Sequence, residues 1–383
     1  MYFRKGAAGD MKADVIIIGS GIVGNAAAYY MSKAGLSCIV LEAGSIIGNG
    51  GSSRNGGGVR QSSRDNRELP LAMYAVKHIW PGLAEELGVD IEYQQAGRLC
   101  IGRTEAHLRR AQEIVALNTK LGLEVYQLDG REAREINPYI ADDITCAVWC
   151  PSDGHANPLV TTLAFYRKAR ELGAEFICNE KAVKLVRTKG RVSRVVTEAG
   201  NIYEGGHILL AAGYHSRELL NTIQLDIPIQ KQLIEVMVTE RAPKKFDMMM
   251  ESFGEHDYYG HQTRHGSFVF GADAGMETFY RDDHVEKNQV NTLPSIAHYL
   301  RKDMDFLGGY KILRSWAGYV DMTRDRVAVL GTVQEAEGLL LAAGLCGHGF
   351  CTGPVIGKIM SELAQGLKPC VDISALRYER FAI

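Results

Sequence analysis

This chain of 383 residues has little charge of either sign to spare. Its 43 basic residues stand against 45 acidic ones, a formal charge of −2. Such a balance gives no electrostatic footing for nucleic acid or an anionic membrane surface. Long apolar runs are also missing. The first hydrophobic stretch, over 15–18, runs straight into glycines and is far too short to cross a bilayer, so no integral membrane segment is expected. Ahead of it, Arg4 and Lys5 are followed by small and polar residues instead of the apolar core of a signal peptide, and the first dozen residues read as a loose leader. The eight cysteines include no C-x-x-C. Their scatter argues against a disulfide framework and suits a reducing cytoplasm. Neither Cys146 with Cys150 nor Cys346 with Cys351 supplies the four compactly spaced thiolates of an iron–sulfur site. His256, His261 and His265 span an expected turn at Gly266 without regularly placed carboxylates, so no metal site is assigned.

What the chain does have is a dinucleotide motif. A β-branched run enters Gly19-x-Gly21-x-x-Gly24, a small-residue helix follows and stops at Gly35, and a second apolar run over 38–41 ends in Glu42. Gly19 permits the tight strand-to-helix turn, and Gly21 lets backbone approach a pyrophosphate. Gly24, with Ala26 to Ala28, lets the helix pack closely on a sheet. The helix start presents free N–H groups and partial positive charge to phosphates, and Glu42 is placed to accept from ribose hydroxyls. By itself this motif does not separate FAD from NAD.

The chain's 42 glycines cluster in short turn-like segments. Seven glycines between 44 and 60 cannot bury a core, but they let backbone run against something flat or charged. A helix is expected over 67–87, short strands over 93–103 and 123–128, and a helix over 159–172 after the turn Asp153 to Pro158. Strands follow over 175–178, 182–187, 192–198 and 207–212. From 232 to 320 the pattern alternates as in an antiparallel sheet with one covered face, with strands over 233–239, 257–263, 267–271 and 313–320 and a helix over 287–304. An apolar strand over 338–343 then leads into a second glycine turn, Gly344-Leu-Cys-Gly-His-Gly-Phe350, and a closing helix over 355–365.

Four segments taken together carry a family resemblance: the first glycine motif with Glu42, the loop from Ser52-Ser53-Arg54 to Arg60, Ala211-Ala212-Gly213, and Gly347-His348-Gly349-Phe350. In that order the chain resembles the D-amino-acid-oxidase-like flavoproteins, which include glycine and sarcosine oxidases and the flavin subunits of proline, hydroxyproline and opine dehydrogenases. The resemblance spans about 13–366. It implies an α/β plus α+β fold: a Rossmann-like FAD-binding domain from 13–90, 150–230 and 321–383, interleaved with an antiparallel-sheet substrate domain from 91–149 and 231–320. By position, Gly19, Gly21, Gly24 and Glu42 would hold the ADP half of FAD, and Ser52, Ser53 and Arg54 would line the pyrophosphate and ribityl chain. Val183 would meet the adenine, Ala212 and Gly213 would pass beneath the ADP portion, and the turn with Gly344, Gly347, His348, Gly349, Phe350 and Cys351 would lie at the flavin ring. Monomeric sarcosine oxidases carry a lysine where Cys351 stands and tether FAD through a cysteine near the position of Gly318. With no cysteine between 178 and 346, FAD is expected to be non-covalent.

For the substrate, Arg60 is the expected carboxylate clamp, weighed against a phosphate-facing or solvated arginine. Arg324 reads as a solvated loop residue. On 257–262, Tyr259 and His261 share one face and Tyr258 and Gln262 the other, and the first pair is favoured for the pocket. His348 either bonds the flavin or braces its turn. The resemblance implies oxidation of the C–N bond of an amino acid or N-substituted amino acid such as an opine, hydroxyproline, proline or sarcosine, by hydride transfer to flavin. The favoured form is the catalytic subunit of a heteromeric dehydrogenase whose partner subunits carry the electrons, in the cytoplasm or peripherally at the inner membrane. The alternatives are a stand-alone glycine- or sarcosine-type oxidase making hydrogen peroxide, and a flavin-bound interaction subunit without turnover.

Overall fold

A computed structural model describes residues 11–253, 258–273 and 292–381. Two sheets organise them. In the first, the order is Val329–Thr332, Leu339–Ala343, Ile202–Leu210, Met11–Ile18, Cys38–Glu42 and Glu175–Cys178. The four strands from Leu339–Ala343 to Cys38–Glu42 run parallel, and so does Glu175–Cys178. A hairpin, Ala182–Thr188 with Arg191–Thr197, hangs on Ile202–Leu210. Val15, Ile16 and Ile17 are wholly buried because both faces of this sheet are covered, as parallel strands require. One face packs on helices Ile22–Lys33, Pro158–Glu171 and Gly349–Ala364. This is the Rossmann-like arrangement.

The second sheet has the order Ile312–Met322, Gln230–Arg241, Ser267–Asp273, Tyr258–Gln262, Met249–Ser252, Arg98–Gly102, Cys146–Cys150 and Tyr126–Asp129. It is antiparallel except where Met249–Ser252 lies parallel to Arg98–Gly102, the seam joining two distant stretches of chain. Strand Met11–Ile18 begins at Met11, inside the expected leader, where Met11 pairs with Tyr203 and Lys12 with Glu204.

Three expected helices differ in extent. The helix over 67–87 is two helices, Leu69–His78 and Trp80–Leu87, because Pro81 sits in the first turn of the second and cannot continue the first. The closing helix starts six residues early, at Gly349, and runs through Pro354. Close packing decides this: a Cβ on Gly353 would lie 2.9 Å from Ile22, and one on Gly357 only 2.6 Å from Ala26 and the Ala27 nitrogen. Contact between the two helices outweighs the poor helix propensity of glycine and proline. Of the helix over 287–304, the part before residue 292 lies outside the described residues, and the rest forms Thr292–Asp303. Helix Glu105–Lys120, capped by Thr104, has no counterpart among the expected elements; it buries only Ala111 and Asn118, so no apolar stripe announces it.

Candidate functional site

The first strand ends at Ile18, and Gly19 turns the chain at φ +102°. A Cβ there would meet the Ala211 carbonyl oxygen at 2.4 Å, so the position is closed to any other residue. Gly24 serves packing: its Cβ would fall 1.9 Å from the Gly19 oxygen. Helix Ile22–Lys33 has no side-chain N-cap of its own; Ser52 Oγ accepts from the Ile22 N–H at 2.9 Å. Glu42 is held at the tip of its strand. One oxygen accepts from the Ser20 N–H at 3.1 Å and from its hydroxyl, and the other accepts from the Gly44 N–H at 2.8 Å.

These groups border a cavity of about 650 Å³. Gly19, Gly21, Glu42, Ser52, Arg54, Val183, Ala212, Gly213, Gly347, Gly349 and Phe350 all line it. Five residues expected at the cofactor do not, among them His348, which lines a larger cavity. Gly24 and Ser53 face away, the latter donating to the Gly50 oxygen. Gly344 shapes the turn at φ +62° against the Thr323 methyl. Cys351 is buried in the closing helix, where its carbonyl accepts from Trp80 Nε1 at 2.9 Å, and burial pushes its thiol up. Because the helix begins at Gly349, its first N–H groups lie in the second glycine turn itself.

A second cavity, about 1290 Å³, shares the walls Arg54, Tyr319, Gly347 and Phe350 with the first. It brings together Arg60, Tyr259 and His348. Arg60 donates from Nη1 to the Ser62 oxygen at 3.0 Å. Tyr259 lies over Gly56, and burial pushes its hydroxyl up to about 12. Its strand neighbours Tyr258 and Gln262 face the other way: Tyr258 donates to Asp303 at 2.8 Å, and Gln262 donates to the Pro243 and Gly266 oxygens. His261 shares the face of Tyr259 but stops short of the cavity. It stacks on His155, ring centres 3.8 Å apart, and burial holds it well below the usual imidazole range. Expected to line the pocket, it is not among the residues that border the cavity; its ring is engaged with His155 instead.

His348 Nδ1 lies 2.7 Å from Glu68, whose other oxygen accepts from the Ala328 N–H at 2.7 Å. Burial, then the positive Arg64, pushes His348 down to about 4. A neutral ring beside a carboxylate must carry its proton on Nδ1, which leaves Nε2 as an acceptor.

Sequence reading missed the braces of this pocket. Arg98, fully buried, donates from Nε to Glu251 at 2.7 Å and from Nη1 to Ser62 Oγ at 2.6 Å. Ser62 in turn donates to Asp153, which also accepts from the Gln61 N–H at 2.6 Å. Arg60 thus hangs from a loop pinned by two carboxylates, the buried Asp153 and the partly exposed Glu251. Arg64 and Glu68, spaced four residues apart from Arg60 onward, were the available signal: an i, i+4 charged series following a glycine-rich stretch.

A family model described as DAO, FAD dependent oxidoreductase, matches residues 14–363. The chain belongs to this family. It is therefore an FAD-dependent oxidoreductase. Glycine oxidase of Bacillus subtilis is 25% identical over 378 residues, covering 96% of this chain and 97% of that protein. Sarcosine oxidase subunit beta of Arthrobacter sp is 28% identical over 357 residues, 91% of this chain and 86% of that protein. The solved L-proline dehydrogenase from P. horikoshii matches with a TM-score of 0.89 at 26% identity, over 97% of this chain and 98% of that one.

The residues present fit the family's cofactor. The smaller cavity joins side-chain-free backbone at Gly19 and Gly21 to a carboxylate at the strand tip. It also contains Asp321, whose Oδ2 is buried without a hydrogen-bond partner. Burial pushes that carboxyl up to about 6. An acceptor left open in a cavity is what a hydroxyl-bearing ligand satisfies. Among the described residues, no helix is long and apolar enough to cross a membrane.

Proposed function

We propose that this enzyme oxidises the C–N bond of an amino acid or N-substituted amino acid, with Arg60 clamping the substrate carboxylate. The observation that supports it is the shared wall: the glycine-lined cavity and the arginine-lined cavity meet at Arg54, Gly347 and Phe350. FAD, held without a covalent link by the residues around the smaller cavity, supplies a two-electron acceptor for hydride. Arg60 presents a fork matched to a carboxylate, which fixes the substrate's orientation. Tyr259 covers the pocket as a neutral hydroxyl, and His348 Nε2 accepts from the substrate nitrogen. The carbon beside nitrogen loses a hydride and the nitrogen a proton. Water then adds to the C=N bond, releasing an amine and a carbonyl product. A domain division at 13–90, 150–230 and 321–383 against 91–149 and 231–320 puts this chemistry where the two sheets meet.

Within that activity we read the chain as the catalytic subunit of a heteromeric cytoplasmic dehydrogenase, with partner subunits receiving electrons. Support comes from its similarity to a protein named as a subunit and from Cys351, a buried thiol with no cation to offer. The stand-alone oxidase is the second reading, favoured by end-to-end similarity to a glycine oxidase. The test is an anaerobic screen of the FAD-loaded protein against amino acids and N-substituted amino acids. Bleaching of the visible flavin band by at least one of them is expected, and silence across the panel overturns the activity. Air is then admitted: slow recovery of colour supports the dehydrogenase, rapid recovery the oxidase.

A further inference from the structure

Ser63 stands in the left-handed region, at φ +62°, on the wall of the larger cavity. For a residue with a side chain this conformation is strained, and its surroundings must hold it. The peptide group between Ser62 and Ser63 shows how. Its carbonyl oxygen accepts from Arg60 Nη1 at 3.0 Å, and its N–H donates to Asn118 Oδ1 at 3.0 Å. One planar unit thus joins the two side chains, with its carbonyl and N–H pointing opposite ways. Turning that unit over would let Ser63 relax to negative φ, but it would carry the carbonyl away from Arg60. Arg98 does not prevent the turn directly, because it holds the serine hydroxyls: its Nη1 reaches Ser62 Oγ at 2.6 Å and Ser63 Oγ at 3.2 Å.

Asn118 does oppose it. The residue comes from the last turn of helix Glu105–Lys120, and its own carbonyl accepts from the Leu121 and Leu123 N–H groups, both at 3.1 Å. Its side chain is fully buried, and Nδ2 has no hydrogen-bond partner among the described residues. Burying an amide on those terms costs stability, and the bond it makes in exchange is the one to Ser63.

We propose that Asn118 is a positioning residue for Arg60: by holding the N–H of Ser63 it keeps the Ser62 carbonyl turned toward the guanidinium and so aims the carboxylate clamp. Asn118 acts through the loop and does not touch the substrate. This rests on the Arg60 clamp proposed above and names the group outside the loop that sets its direction.

The test is binding of propionate to the FAD-loaded protein, read from the shift of the visible flavin band. Propionate carries the carboxylate but no nitrogen to oxidise. Asn118→Leu, close in size to the parent, is expected to weaken propionate by about tenfold, as a misaimed clamp does, while FAD affinity stays at the parent value. Asn118→Ala, read in parallel, carries the same test if leucine does not fit, and melting curves verify that each variant folds. Adding Ser63→Gly removes the strain of the left-handed conformation and should bring propionate back to within about threefold of the parent. A packing defect at Asn118 would not be mended by a glycine in the loop, so a loss without rescue overturns the proposal. So does parent-like binding in Asn118→Leu when Arg60→Gln binds poorly, and in that case the clamp itself stands. Parent-like binding in Arg60→Gln removes the clamp and the positioning role together. Oxidation is scored apart, by bleaching with amino acids: loss and rescue in a protein that bleaches with none of them uphold the role of Asn118 and remove the C–N oxidation.

Discussion

Replacing Glu251 by alanine tests whether a buried ion pair holds the arginine loop in place. Arg98 has a fully buried side chain, and its Nη2 lies 2.6 Å from a Glu251 carboxylate that is one-fifth exposed. Burial alone works against the Arg98 charge; Glu251, Cys100 and Asp153 together more than offset this and keep Arg98 above its ordinary value. Removing one member of a buried pair typically costs 3–5 kcal/mol, because the survivor is left charged and dry. Here Glu251 borders the larger cavity, so water can reach part of the vacated space, and the lower end, about 3 kcal/mol, is expected. Replacing both partners by alanine removes the stranded charge, and the double variant should lose less than the sum of the two single losses, by about 1–3 kcal/mol. Urea unfolding of the parent, both singles and the double gives the cycle. The kinetic companion is KM: with Ser62 no longer braced by a fixed Arg98, Arg60 is misplaced, so carboxylated substrates bind more weakly in Glu251→Ala. A loss below about 1 kcal/mol, the size of a typical surface pair, would refute the argument. So would additive losses in the cycle.

Two further outcomes follow from the packing around the cofactor cavity. Gly357→Ala gains about 1 kcal/mol of helix propensity but forces a methyl to within 2.6 Å of Ala26, at a cost of about 3 kcal/mol, so a net loss near 2 kcal/mol should appear in the urea midpoint. Asp321 titrates near 6 when folded against 3.8 ordinarily, so its contribution to apoprotein stability is full below pH 4 and is lost as pH rises through 6. The loss amounts to about 3 kcal/mol. Asp321→Asn should remove that part of the pH dependence between pH 4 and 7, and an unchanged profile would show that the carboxyl is solvated.

How legible the site was depended on whether each residue works through its own backbone or through a distant partner. The turn at Gly19, the strand tip at Glu42 and the stop at Gly35 are local. Each follows from what a short stretch of chain can do without side chains or with one terminal acid, and each holds in the structure. The second glycine turn shows the limit of that logic. Gly347, Gly349, Gly353 and Pro354 read as loop by propensity, yet Gly349 already begins a helix, because Gly353 and Gly357 allow it to press on Ile22 and Ala26 more than 320 residues earlier in the chain. His261 also depends on another segment: strand alternation puts it on the face of Tyr259, but its ring stacks on His155 and does not border the cavity. The same dependence on distant groups governs the pocket's charge. A pattern of arginines in a glycine-rich loop cannot reveal which are neutralised, because the decisive carboxylates, Asp153 and Glu251, come from elsewhere in the chain. Only after Arg98 takes Glu251, and Asp153 is spent on Gln61 and Ser62, do Arg60 and Arg64 remain facing the cavity. Which cations face the larger cavity is therefore set by which are left over once the braces are formed, and that remainder is a property of the packed molecule.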